Sequence, residues 1–422
     1  MELGTGVVVS SVFLALSLIG LTFTLTTLIP QRRQNWASIP RFFASWLTGE
    51  LALYHIAWQA AATAGFVAYG ALEQPAGVAG LVITLLSWAG LCVALKHSRA
   101  ASGVTESALR ETLGPGYAED SVKPGEPEPV PIARLLLPFR MRHPDIVVER
   151  DVAYGDAGKR NLLDIYRPRE SDGRCPVLLQ IHGGGWVIGN KEEQGGPLMR
   201  YLAARGWCCF AINYRLSPAA VWPDHLIDCK KALAWIREHA DSYGADPDLV
   251  VVTGGSAGGH LSSMMALTQG QSEFQPGFED ADTSVAACVP FYGVYDFLGR
   301  GGGPDGDSGN SMQSFLERYV LKCSPVDCRA VWEGASPIDQ VGPAAPPFYV
   351  IHGTHDALAS VDGARGFVEK LRSVSAAPVV YAELPGAQHA FEVFHSIRTE
   401  HVVRSVGRFV EHIRTAATPA LS

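Results

Sequence analysis

The chain has 422 residues, more than one core usually needs, so length points to a domain of about 200 to 300 residues plus a smaller unit. A net charge of −8 and a pI near 5.9 argue against a nucleic-acid partner, because phosphate binding needs a basic face. Apolar residues make up 47% of the chain and crowd into its first 95 positions, where neither Lys nor Asp occurs.

Residues 6–29 carry no charge, a run long enough as a helix to cross a hydrocarbon core of about 30 Å. Glu2 precedes this run and Arg32, Arg33 and Arg41 follow it, the reverse of a signal peptide, so it reads as an anchor. A second apolar run, 78–95, ends at Lys96 and Arg99, and between the two lies 46–72, apolar but holding Glu50, His55 and Gln59. His55 and Gln59 share a helix face; an intramembrane polar site is one reading and inter-helix glue the plainer one. The N-terminal region, 1–99, is thus expected to hold two or three transmembrane helices. With three, the basic stretches 31–41 and 96–99 share a side, and the positive-inside rule puts the rest of the chain in the cytoplasm. The scattered cysteines and the absence of an Asn-x-Ser/Thr acceptor agree with that side.

Residues 100–128 turn polar and rich in Pro and Gly, and read as the start of a linker region, 100–145. Within it, 132–142 mixes Leu135, Leu136, Leu137, Phe139 and Met141 with Arg134, Arg140 and Arg142. That mixture suits a membrane surface or a lid, although packing against the next domain is the plainer reading. From 146 to 422, β-rich runs at 152–154, 162–166, 177–181, 208–213, 249–253, 286–290, 348–352 and 379–383 alternate with helical patterns at 197–205 and 224–241. This predicts an α/β domain with a mostly parallel sheet covered by helices on both faces.

The run 249–253 leads into Gly254-Gly255-Ser256-Ala257-Gly258 and then a helical stretch, the strand, turn and helix context of a G-x-S-x-G nucleophile elbow. After 177–181 stands His182-Gly183-Gly184-Gly185-Trp186, where glycines let backbone N–H groups approach an oxyanion. Gly183, Gly184 and Ala257 are the expected donors. A serine needs a base and an acid to orient it, in the order Ser, Asp, His along this kind of chain. His260 lies on the elbow's own helix, and His395, His401 and His412 fall in a C-terminal amphipathic helix. His352 and His355 flank the expected acid, which leaves His389 as the base. Asp356 follows 348–350 at a strand's carboxyl end and is the expected acid, with Asp362 and Glu392 as alternatives.

From about residue 147 onward, these pieces resemble the hormone-sensitive-lipase-like branch of the α/β-hydrolases. The resemblance rests on His182-Gly183-Gly184-Gly185, Asn213-Tyr214-Arg215-Leu216-Ser217-Pro218, Trp222-Pro223 with Asp228, Gly255-Ser256-Ala257-Gly258-Gly259 and Asp356-Ala357-Leu358. One departure stands out: the branch usually has an acidic residue just before the nucleophile, where this chain has Gly255. The opening Val152-Ala153-Tyr154-Gly155 with residues 161–166, together with the apolar N-terminus, is similar to membrane-bound actinobacterial carboxylesterases and to isoprenylcysteine methylesterases. The resemblance implies hydrolysis of carboxylic esters, of short to medium acyl chain or lipid-derived, with no metal or organic cofactor. Alternatives are a deacetylase or methylesterase for one lipid-like substrate, and a non-catalytic membrane scaffold. Trp186 and Tyr214 read as core rather than pocket. Cys323 and Cys328 are the only spacing that could bridge a loop, and free thiols are expected. A Gly- and Asp-rich stretch at 301–310 lacks the ligand spacing of a calcium loop.

Overall fold

The computed structural model describes residues 2–31, 38–117, 130–171, 173–300 and 308–417. The basic loop at 32–37, the linker at 118–129 and the first part of the Gly- and Asp-rich stretch, 301–307, lie outside the described residues.

The N-terminal part is helical: α1 (Glu2–Leu28), α2 (Ser38–Glu50), α3 (Ala52–Ala68) and α4 (Pro75–Leu113). Gly6–Leu28 and Pro75–Leu113 are long and apolar enough to cross a membrane, whereas α2 and α3 meet at an 86° bend. The α1–α4 contact uses small residues. A Cβ on Gly80 would sit 3.1–3.3 Å from Phe13 and Leu14, and one on Gly90 would strike Thr24. Hydroxyl pairs Thr24–Ser87 (2.8 Å) and Thr84–Ser17 (2.9 Å) add hydrogen bonds between the same helices. Gln59 is buried against Gly20, and Trp58 Nε1 donates to His55 Nδ1 at 3.3 Å, so these two polar residues pack between and along helices.

The segment 46–72 is built from α2 and α3, and the bend between them sets Glu50 against the following domain. The Glu50 carboxylate lies 3.1 Å from Arg398 Nη1, both side chains being almost fully buried. The region expected as a linker is partly helix, since α4 runs on to Leu113. At about 1.5 Å per residue its length far exceeds a bilayer core, and its second half buries Ala101, Thr105, Ala108 and Leu109, one helical face, against the following domain.

After the short α5 (Ile132–Leu136) comes a single sheet of eight strands in the order β1-β2-β4-β3-β5-β6-β7-β8. These are β1 (Ile146–Ala153), β2 (Leu162–Pro168), β3 (Cys175–Ile181), β4 (Cys208–Ile212), β5 (Ala245–Gly255), β6 (Ala287–Phe291), β7 (Phe348–Gly353) and β8 (Val379–Leu384). β1 and β2 pair antiparallel; from β4 to β8 every pairing is parallel. β3, β4 and β6 are buried along their whole length, as strands covered on both faces must be. The helices are α6 (Gly196–Ala203), α7 (Asp224–His239), α8 (Ala257–Leu267), α9 (Ser308–Phe315), α10 (Arg329–Gly334), α11 (Val361–Val374) and α12 (Ile397–Ala417). Two core clusters, one on each face of the sheet, hold the domain together. α12 begins at Ile397, so His395 precedes it rather than lying on it, and its Nδ1 meets Glu400 at 2.7 Å. Cys323 and Cys328 are both free.

Candidate active site

The carboxyl ends of four strands in the parallel part of the sheet, β3, β5, β7 and β8, carry the expected residues, as open α/β sheets place their sites. Ser256 follows β5 and caps α8 with φ 59° and ψ −121°. A non-glycine residue at positive φ is strained, and here the strain lifts the serine out of the strand at a helix N-terminus. The surrounding glycines are a packing demand: a Cβ on Gly258 would lie 2.1 Å from the Ile181 carbonyl oxygen, and one on Gly254 2.5 Å from the same atom. Strand-to-helix crossing at this closeness admits only hydrogen there.

After β7, the side chain of Asp356 is fully buried, and its Oδ2 lies 2.7 Å from His389 Nδ1. The other oxygen accepts the N–H groups of Leu358 (2.9 Å) and Ala359 (2.8 Å). His352 Nε2 stands 3.3 Å from Oδ2. Burial pushes this carboxyl up, but His389 and His352 outweigh it and hold the group well below the usual carboxylate range. A carboxylate facing Nδ1 fixes the tautomer that leaves Nε2 as the free base. The alternatives for the acid are engaged elsewhere: Asp362 pairs with Arg365 at 2.7 Å, and Glu392 takes the Tyr292 hydroxyl.

His389, after β8, is nearly buried, and Gln388 braces its loop. Gln388 Oε1 accepts the N–H of His389 (2.9 Å) and of Ala357 (2.7 Å), tying the His389 and Asp356 loops together. Tyr292 joins this loop to the elbow. Its ring centre is 4.4 Å from that of His389, and its hydroxyl lies 2.5 Å from where a Gly255 Cβ would be. Sequence reasoning missed Tyr292, Gln388 and His352. His352, four residues before the acid in the run His352-Gly353-Thr354-His355-Asp356, was the one signal open to being read.

The loop after β3 lies beside the elbow, a Cβ on Gly183 falling 3.0 Å from the Ser256 Cβ. Gly184 has φ 107°, and its carbonyl accepts the N–H of Val187 and Ile188 at 3.1 Å each, a turn that excludes any side chain. Ala257 opens α8, where its N–H has no intrahelical acceptor. Gly183 differs: its N–H is donated to Gln194 Oε1 at 2.7 Å. His182, with its Nδ1 2.6 Å from the Gly183 carbonyl, stacks on Tyr214 (4.4 Å) and is pushed down to about 4 by burial, which keeps it neutral. Tyr214 donates to the His182 carbonyl at 3.0 Å, and both Tyr214 and Trp186 are core, as expected. Arg215, on the same loop, grips Asp228 with Nε and Nη2 at 2.9–3.0 Å, so that stretch is scaffold.

An eight-stranded, mostly parallel sheet with an elbow serine, a buried acid–histidine pair and a glycine loop at its carboxyl edge defines the α/β-hydrolase class. The BD-FAE family matches residues 163–371. The probable carboxylic ester hydrolase LipM of Mycobacterium tuberculosis is 42% identical over 397 residues, covering 92% of this chain and 90% of that protein. A probable isoprenylcysteine alpha-carbonyl methylesterase of Arabidopsis thaliana, ICMEL1, is 28% identical over 245 residues, 54% of this chain and 48% of that protein. Among solved structures, the thermophilic esterase Est2 of Thermogutta terrifontis, bound to propionate, superposes with a TM-score of 0.52 at 24% identity, covering 66% of this chain and 97% of that one. The chain belongs to the hormone-sensitive-lipase-like carboxylesterase family of α/β-hydrolases, in the branch that includes LipM.

Proposed function

We propose that this protein is a membrane-anchored serine carboxylesterase that hydrolyses short- to medium-chain acyl esters through an acyl-enzyme. The observation that carries the reading is the 2.7 Å contact between His389 Nδ1 and the buried Asp356 carboxylate, beside the elbow of Ser256. Family membership at 42% identity to a probable carboxylic ester hydrolase supports the reaction class.

In this reading, Ser256 Oγ attacks the ester carbonyl carbon as its proton passes to His389 Nε2. Asp356 steadies the imidazolium. The carbonyl oxygen becomes an oxyanion, held by the N–H groups of Gly184 and Ala257 and by that of Gly183 once it exchanges Gln194 for the substrate. The imidazolium then protonates the leaving alcohol and the acyl-enzyme remains. Water, deprotonated by the same histidine, attacks the acyl carbon, and collapse of the second oxyanion, with the imidazolium returning that proton to Ser256 Oγ, releases the carboxylic acid and restores the serine hydroxyl.

Residues 1–99 form the membrane anchor in this reading and 146–422 the catalytic domain. Two helices long and apolar enough to cross a membrane support anchoring, and the α1 end holding Thr27 and the α4 stretch holding His97 both abut the catalytic domain. That arrangement agrees with the basic stretches 31–41 and 96–99 sharing one side, taken here as cytoplasmic. The likeness to ICMEL1 favours a second reading, demethylation of a prenylated carboxyl methyl ester.

The test is turnover of p-nitrophenyl esters from acetate to palmitate by wild type and Ser256→Ala in detergent, with a fluorophosphonate probe. The reading expects turnover and labelling in wild type and neither in the variant. A folded wild type that neither turns over nor labels would sink it.

A further inference from the structure

Helix α2 presents one face to the catalytic histidine and the other to the outside. Phe42 is buried with its ring edge-on to His389, centres 6.1 Å apart, and stacks on Trp46 at 5.5 Å. Trp46 in turn lies 5.3 Å from Phe394 on the His389 loop. Three residues before Phe42 and one after it, Ile39 and Phe43 are 63% and 49% exposed. Only the thickness of this helix separates an open apolar surface from the catalytic base.

The segment after the linker continues that surface. Phe139 packs on Phe394 at 4.9 Å yet is 65% exposed, and Ile132 and Leu136 are at least as open. This is no loose tail. Tyr54 of α3 donates to the carbonyls of Leu135 (3.1 Å) and Leu136 (2.7 Å), and Arg134 reaches Glu400 of α12 at 2.8 Å. A segment pinned so firmly while holding its large apolar side chains outward is built to be covered. The guanidiniums of Arg140 and Arg142 are exposed beside them, and no acidic residue occurs from 131 to 143. An apolar ridge fringed with basic groups and tied to α3 just after the α2–α3 bend fits the headgroup layer of an anionic leaflet.

We infer that α2 and residues 132–142 form a collar seated in the lipid headgroups, so that the active site opens toward the leaflet and takes membrane-resident amphiphilic esters entering along Phe42 and Trp46. This rests on the esterase reading above and adds to it the side of approach and the physical state of the substrate.

The experiment uses the full chain in nanodiscs containing phosphatidylglycerol, with two substrates: 1,2-dioctanoylglycerol in the bilayer and p-nitrophenyl acetate in the water. The test variant is Ile132→Asp with Leu136→Asp, both with exposed side chains and neither stacked on the His389 loop, so the fold is spared. The collar predicts a fall of about tenfold or more in hydrolysis of the bilayer substrate, the effect of removing two apolar anchors, with p-nitrophenyl acetate turnover and fluorophosphonate labelling unchanged. Equal rates on both substrates, or an equal loss on both, overturns it. A photo-crosslinking phenylalanine analogue at position 139 reads the same question without activity: lipid adducts support the collar, and their absence overturns it. A wild type silent toward both substrates and the probe while still forming lipid adducts refutes the esterase reading and leaves the collar standing.

Discussion

The hydroxyl of Tyr292 stands 2.5 Å from the point where a Cβ on Gly255 would lie, and two of its ring carbons stand 2.9 Å from it. Tyr292 fills the space beside this position before the nucleophile and donates its hydroxyl to Glu392. The glycine is therefore the counterpart of the tyrosine. Gly255→Ala should press Tyr292 toward His389 and destabilise the fold by about 1–3 kcal/mol, the usual cost of overpacking. Thermal unfolding in detergent reads the loss. A double-mutant cycle with Tyr292→Leu should be non-additive, and simple additivity would show that the two residues do not compete for this space.

Burial pushes the Glu392 carboxyl up to about 7, against the opposing pull of the Tyr292 hydroxyl, its own backbone and His389. The folded chain thus keeps this proton to higher pH than the unfolded chain, whose carboxyl titrates near 4.5. The stability so contributed is complete below about pH 4.5 and is lost as pH rises through about 7. Relative to Glu392→Gln, wild type should lose roughly 3 kcal/mol between pH 4.5 and 8. Denaturant melts of the two proteins at several pH values measure this, and parallel curves would contradict it.

Glu50 and Arg398 form a charge contact at 3.1 Å, both almost fully buried, and Ser396 donates to Glu50 at 2.6 Å. Arg398 also reaches Ser98 of α4 at 3.2 Å. Arg398→Met strands a buried carboxylate and should cost about 3–5 kcal/mol, whereas pairing it with Glu50→Met should recover most of the loss. Because α2 also bears on His389, the single variant should slow p-nitrophenyl butyrate turnover in step with its melting temperature. An undiminished melting temperature for Arg398→Met would disprove the coupling.

Gln194 holds the Gly183 N–H at 2.7 Å, a bond that the oxyanion of the proposed mechanism would have to displace. Gln194→Glu places a charged acceptor there and should lower kcat by about 10²-fold, the scale of losing one oxyanion donor. Gln194→Ala removes the competitor and should keep or raise kcat. Rates of fluorophosphonate labelling should follow the same order; a collapse of both variants to one low rate would show instead that Gln194 is a structural brace.

Much of the catalytic half was legible because its signals are local. Strand runs such as 177–181 and 249–253, and the glycines around Ser256, depend on residues within a few positions of one another, and β3 and β5 lie where those runs fall. The ordering of Asp356 before His389 narrowed the acid and base, and the structure brings the two within a hydrogen bond. The polar composition after residue 99 misled, because Ala101, Thr105, Ala108 and Leu109 form a buried face only when a domain lies beneath them. Tyr292, Gln388 and Phe42 carry no motif, and nothing near them in the chain marks what they touch.

By itself the sequence determined the α/β sheet, the elbow at Ser256 and the apolar character of the first hundred residues, since periodicity, turn glycines and hydropathy act over a few residues. Only the tertiary structure decided that Gly255 makes room for Tyr292, that Gln194 holds Gly183, and that α2 bends at Glu50 to lay Phe42 against His389. Ser396 and Glu50 are 346 positions apart in the chain. Contacts at that range come from how finished elements stack and which buried charges must be paired, and short-range pattern carries neither.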